Sequence, residues 1–218
     1  MRPESVLVEA CVTSADEAVD AFGAGAERVE LCHSLDVGGL TPTTEAVEAT
    51  LSAAPGPVNV LVRPRADTFR LAPDEVEALV EEIAALVALG VDGVVVGVLD
   101  EAGRVDRAAL SELVGAAGDV PVTFHRAFDR VEEPRRAVEA LLDAGVRRVL
   151  TSGGAATAWA GRETLRALVE RCGDALTVLG GGRVRGDHVR RLVEETGLTE
   201  VHARASAVPG VVDGLRAA

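Results

Sequence analysis

Two short runs of the chain carry a carboxylate and a thiol at i, i+2 spacing: Glu9 with Cys11, and Glu30 with Cys32. In an extended strand this spacing puts both groups of a pair on one face. If the two strands are neighbours, about 4.8 Å apart, the two Glu and the two Cys stand side by side. Two thiolates are a soft donor set that favours Cu(I) over hard cations, so Cys11 and Cys32 are candidate metal ligands. Small buried cysteines filling a core account for the same residues. The two carboxylates need partners, because buried ionised groups are costly unless paired, and Arg63, Arg65 and Arg126 are the candidates.

Further along, His125-Arg126-Ala127-Phe128-Asp129 places an imidazole, a guanidinium and a carboxylate in one short loop. His125 is a candidate general acid or base near neutral pH, or a strand-end cap bonded to the backbone. His202 stands in a similar position near the C-terminus. Gly180-Gly181-Gly182, followed by Arg183, resembles a loop whose backbone N–H groups grip phosphate, and Thr151-Ser152 offers hydroxyls on a neighbouring run.

Three chemistries are therefore open. One is Cu(I) binding by Cys11 and Cys32. The second is an enzyme on a small phosphorylated or carboxylated sugar-like anion. Arg63, Arg65 and Arg126 would hold the anion, His125 or Glu30 would move a proton, and Gly180, Gly181 and Gly182 would bind phosphate. The third is a divalent-metal site built from Glu9, Glu30, Asp100 and His125 as hard ligands.

These groups need a scaffold that gathers them at one end. Short Val-rich runs, expected as strands over 6–11, 28–32, 58–63, 93–99, 122–124, 148–150, 177–179 and 200–202, alternate with helical stretches. The first helix is opened by Thr13 or Ser14, with Glu17 at capping-box spacing from Ser14. The second is expected near Thr41-Pro42, with Pro at the first helical position. The rest are expected at about 73–89, 106–117, 134–144, 162–172 and 187–196, with a short one within 209–218. Gly25, Gly90, Gly145 and Gly197 each precede an even-numbered strand, as left-handed helix ends do. Strands alternating with helices imply parallel pairing. Eight such units without a long central crossover predict a TIM-like (β/α)8 barrel over 1–218, with an open doubly wound sheet as the alternative. In a barrel the site lies at the C-terminal strand ends, and there every run ends in polar or glycine-rich residues.

Composition narrows the function classes. The chain has 218 residues with a net charge of −13, which disfavours nucleic acid and anionic membranes as partners. No apolar run approaches the roughly 18 residues of a membrane span, and the N-terminus lacks an apolar signal region, so a cytoplasmic location is expected. All 22 basic residues are Arg. A chain without Lys excludes Schiff-base catalysis and a Walker A loop. Three Cys without a CxxC fit a reduced compartment.

Several segments, in order along nearly the whole chain, together resemble the CutC family of copper homeostasis proteins. They are Val29-Glu30-Leu31-Cys32, Gly38-Gly39-Leu40-Thr41-Pro42, Val62-Arg63-Pro64-Arg65, Gly97-Val98-Leu99-Asp100, the run Val122 to Asp129, Val149-Leu150-Thr151-Ser152-Gly153 and Glu200-Val201-His202. The resemblance implies a TIM-like barrel, a cytoplasmic homo-oligomer (dimer or higher), and Cu(I) held by Cys11 and Cys32. Cys172 lies outside the matching segments. Cys11 stands alone in Ala-Cys-Val where some members carry two cysteines in succession.

Overall fold

The Val-rich runs are buried on both faces because both faces are covered. In the computed structural model, which describes residues 6–217, they form eight strands. These are β1 (Leu7–Val12), β2 (Arg28–Leu31), β3 (Val58–Leu61), β4 (Gly93–Val96), β5 (Val122–Phe124), β6 (Arg148–Thr151), β7 (Thr177–Gly180) and β8 (Glu200–Arg204). Each pairs in parallel with the next, and β8 closes on β1, giving a barrel. The connecting helices are α1 (Ala15–Gly23), α2 (Thr44–Ala53), α3 (Pro73–Leu89), α4 (Arg107–Ala117), α5 (Pro134–Asp143), α6 (Arg162–Cys172), α7 (Val189–Thr196) and α8 (Val208–Arg216).

Strand alternation divides the core in two. Val8, Ala10, Val12, Val29, Val94 and Val96 belong to the large cluster between sheet and helices. The alternate residues face inward, where Cys11, Cys32, Leu61 and Val95 form a small separate cluster. The Gly residues before the even strands all take positive φ, between 75° and 100°, which lets each helix end turn directly into its strand.

Local chemistry sets several boundaries differently from expectation. Pro42 is not the first helical residue. Thr43 caps α2 by accepting the Ala46 N–H, and α2 starts at Thr44. Ser14 caps α1 as expected, accepting from Glu17 N, but Glu17 reaches back to Thr13 instead of Ser14. β3 stops at Leu61 and β4 at Val96, short of the expected Arg63 and Leu99, because the chain leaves the ladder to form the barrel mouth. β8 runs to Arg204, and α7 begins at Val189. Three short 3-10 turns, 35–37, 126–130 and 205–207, follow β2, β5 and β8. Ala218 lies outside the described residues.

Candidate functional site

The barrel floor is ionic. Glu9, fully buried on β1, accepts hydrogen bonds from Arg28 Nε (2.5 Å), His202 Nδ1 (2.8 Å) and Asn59 Nδ2 (3.2 Å). Arg28 Nη2 also donates to Glu200, which accepts from Arg148 Nε (3.1 Å). Burial alone would raise the Glu9 pKa, but the His202 hydrogen bond and the Arg28 charge outweigh it and hold the carboxyl at about 2. His202 is largely but not fully enclosed, with 13% of its side chain exposed. Its bond to Glu9 and the charges of Glu30 and Glu9 lift its imidazole above the ordinary value. Arg63, Arg65 and Arg126 are therefore not the partners of Glu9. Arg28 is, because register sets it directly opposite Glu9.

Stagger also alters the expected pairing of Glu with Glu and Cys with Cys. Cys11 lies opposite Glu30, and Glu30 lies opposite Asn59. A closed barrel requires such an offset. The side chains of Cys11 and Cys32 nevertheless converge diagonally, with Sγ atoms 3.5 Å apart. Contact with Cys32, burial and the Glu30 charge push the Cys11 thiol well above the ordinary range. Glu30 is lifted to about 7 by burial, and its Oε2 has no hydrogen-bond partner. Cys11, Glu30 and His202 bring ligand atoms within 4.8 Å of one another.

Above them opens a cavity of about 850 Å³ at the C-terminal strand ends. It gathers Cys11, Glu30, Cys32, Arg63, Asp100, His125, Arg126, Asp129, Gly182 and His202 from the expected set, but not Glu9, Arg65, Thr151, Ser152, Gly180 or Gly181. Arg65 instead pairs with Asp67 of its own β3–α3 loop and with Glu75 in the first turn of α3.

His125 sits at the end of β5 as the cap of the 126–130 turn. Its Nδ1 accepts the Ala127 N–H (3.1 Å), which leaves the ring proton on Nε2. Burial, then the Arg63 charge, hold this imidazole down at about 3, so it is neutral. Its ring occupies the space beside Gly97, where a Cβ would come within 2.2 Å of Nδ1. Phe69 packs over it at 5.1 Å between ring centres and lies under the Arg63 guanidinium at 4.9 Å. Arg63 donates to the carbonyls of Gly39 (3.0 Å) and Ala66 (2.8 Å), tying two mouth loops together, while its Nε has no partner.

Asp129 organises the next loop. It accepts from Thr151 Oγ1 (2.5 Å), Ser152 N (3.0 Å), Gly154 N (3.0 Å) and Arg126 Nε (2.7 Å). Thr151 donates its hydroxyl proton to Asp129, and Ser152 Oγ lies within bonding distance of Asp129 and Ala155 O. These two residues thus order a loop and do not present hydroxyls to the cavity. The glycines after β7 serve packing in the same way. A Cβ on Gly180 would meet Leu198 at 2.4 Å and one on Gly181 would meet Leu150 at 2.5 Å. The Gly181 N–H already donates to Thr151 O. Ala158 N donates to Gly182 O, and next to it Trp159 is flanked by the guanidiniums of Arg162 (4.8 Å) and Arg191 (5.0 Å).

The proposed hard-metal set does not assemble. Asp100 accepts from Ala102 N, Arg104 N and Arg104 Nε in its own turn, and Glu9 is fully engaged below. Among the described residues, the one group of three converging ligands is Cys11, Glu30 and His202. Asn59 and Glu200 were not foreseen. Both lie at strand starts, where strand-end reasoning does not look, although inward position by alternation with Leu61 and His202 could have found them.

The fold and site define a (β/α)8-barrel protein with a buried dithiol and an arginine-rimmed mouth above an ionic floor. The chain belongs to the CutC family, whose model matches residues 6–207. It is 43% identical over 199 residues to a family protein CutC of Mesorhizobium japonicum, covering 91% of this chain and 77% of that one. It is 38% identical to a human protein named copper homeostasis protein cutC homolog, covering 91% and 73%. The crystal structure of a Streptococcus agalactiae CutC superposes with a TM-score of 0.85 at 28% identity, covering 90% of this chain and 97% of that one.

Proposed function

We propose that this protein takes part in copper homeostasis by binding Cu(I) as cargo between Cys11 and Cys32. The observation that carries the reading is the 3.5 Å separation of the two Sγ atoms on walls of the same cavity. Two thiolates form a soft pair suited to monovalent copper. His202 supplies an imidazole nitrogen within 4.8 Å of the Cys11 Sγ. Its Nδ1 is bonded to Glu9, the carboxylate–imidazole arrangement that orients metal-binding histidines. Glu30 is a hard oxygen donor and is the weaker candidate for copper. Copper homeostasis in the names of relatives supports the same reading. All three cysteines are free and buried, which suits a reducing cytoplasm. Self-association, implied by family resemblance, completes the reading and is measured by light scattering.

The test is an anaerobic Cu(I) titration against a coloured chelator, comparing the native chain with Cys11→Ser/Cys32→Ser. Stoichiometric binding that disappears in the double variant is the expected result. Binding that survives both substitutions, or no competition by the native chain, overturns the reading.

A further inference from the structure

The cavity above the thiols contains more chemistry than a metal ion requires. Seven arginines line it against four carboxylates, in a chain whose net charge is −13. Carboxylates are in surplus overall, yet among the described residues only Arg126 of the seven forms a salt bridge, with Asp129. The other six, Arg70, Arg130, Arg183 and Arg204 among them, have no carboxylate of the described residues in ion-pair contact. Arg183 also holds φ at 55°, a left-handed backbone that a side chain adopts at a cost.

A second observation is independent of the rim. Five buried side-chain polar atoms among the described residues lack a hydrogen-bond partner, and three belong to walls of this cavity: Arg63 Nε, His125 Nε2 and Glu30 Oε2. Their residues are 9%, 6% and 5% exposed. Arg63 Nε and His125 Nε2 are donors, because His125 Nδ1 already accepts from Ala127. Glu30 Oε2 is an acceptor. Buried polar atoms are almost always paired, so an unpaired group of both kinds around one cavity marks a missing hydrogen-bonding occupant.

We infer that the barrel mouth is a binding site for a small polyhydroxylated anion, a sugar acid or a sugar phosphate. The arginine rim meets the charged group. The inner wall meets hydroxyls, donating from Arg63 and His125 and accepting at Glu30. The cavity, about 850 Å³, falls in the range of small-molecule sites. Positive potential focused in a cleft of an acidic protein draws anions toward it. This site stands whether or not copper binds below, since none of its donors is a thiol.

The test is calorimetric titration of the metal-free chain in phosphate- and sulfate-free buffer with gluconate, glucose 6-phosphate and neutral glucose. Binding of either anion, with glucose much weaker, is expected. Gluconate alone identifies a carboxylate site, and the phosphate ester alone identifies a phosphate site. The variant Arg183→Gly/Arg204→Ala should bind the anion about tenfold more weakly. Arg183→Gly relieves the left-handed backbone, so thermal stability should hold or rise, which separates loss of binding from loss of fold. Should the double variant prove unstable, Arg130→Ala gives the same reading from another loop. Failure of both anions to bind, equal binding of glucose, or undiminished affinity in the arginine variants overturns the inference.

Discussion

His125 shows how one side chain can be fixed in a single protonation state by its neighbours. A backbone N–H occupies Nδ1, and burial and the Arg63 charge keep a second proton off the ring. Unfolded, the imidazole titrates near its ordinary 6.5, and folded it does so at about 3. The folded chain therefore binds fewer protons than the unfolded one between these values. Its contribution is fully favourable above 6.5 and is lost progressively as pH falls toward 3. His125→Asn keeps an acceptor for the Ala127 N–H but removes the titration. The stability advantage of the native chain over this variant should therefore shrink as pH drops from about 7 to about 4, measured by urea unfolding at each pH. An advantage independent of pH contradicts a neutral His125. The type and position of His125 were legible in the sequence, as was the possibility that it caps a strand end. Its protonation state was not, because Arg63 approaches from 62 positions earlier in the chain, where only the fold brings them together.

At the scale of elements, strand order and helix order could be read from apolar runs and Gly punctuation. Partnerships across strands could not. The offset between β1 and β2 sets Cys11 against Glu30, and that offset comes from closing eight strands, not from any local run. The loops show the same limit. Thr151 and Ser152 read as cavity groups because they follow a strand end, but loop N–H groups and hydroxyls must find acceptors first, and Asp129, itself at the cavity wall, is theirs. Asp129 supplies them for the β6–α6 connection. Asp129→Ala would leave several buried donors on 151–154 without an acceptor and should cost about 3 kcal/mol. Hydrogen exchange of the Ser152 and Gly154 amides should accelerate together. If those amides stay protected, another group orders this loop.

Across the whole molecule, the barrel separates its charges by height. The floor holds Glu9, Arg28, Glu200 and Arg148 in a linear chain of ion pairs. The mouth holds seven arginines, of which only Arg126 has such a partner among the described residues. A buried network of this kind tolerates loss of one member poorly, since the charges left behind stay desolvated. Arg28→Met should therefore destabilise the fold by about 3–5 kcal/mol, seen as a lower urea midpoint. Little change would mean that Arg148 or His202 moves in to cover Glu9 and Glu200. The eightfold alternation of strands and helices made the architecture readable from one sequence. The vertical sorting of charge was half-visible: polar strand ends announced the mouth, while alternation could turn Glu200 inward without showing that it would meet Arg28 and Arg148 beneath it.

The placement of Trp159 has an optical consequence. The chain contains one Trp and no Tyr, so a single indole produces nearly all of its intrinsic emission. That indole has two guanidiniums within about 5 Å of its ring and follows the residue whose amide is bonded to Gly182 at the cavity edge. The protein thus carries a built-in fluorophore attached to its own entrance, and light from it reports on one loop instead of averaging over the fold.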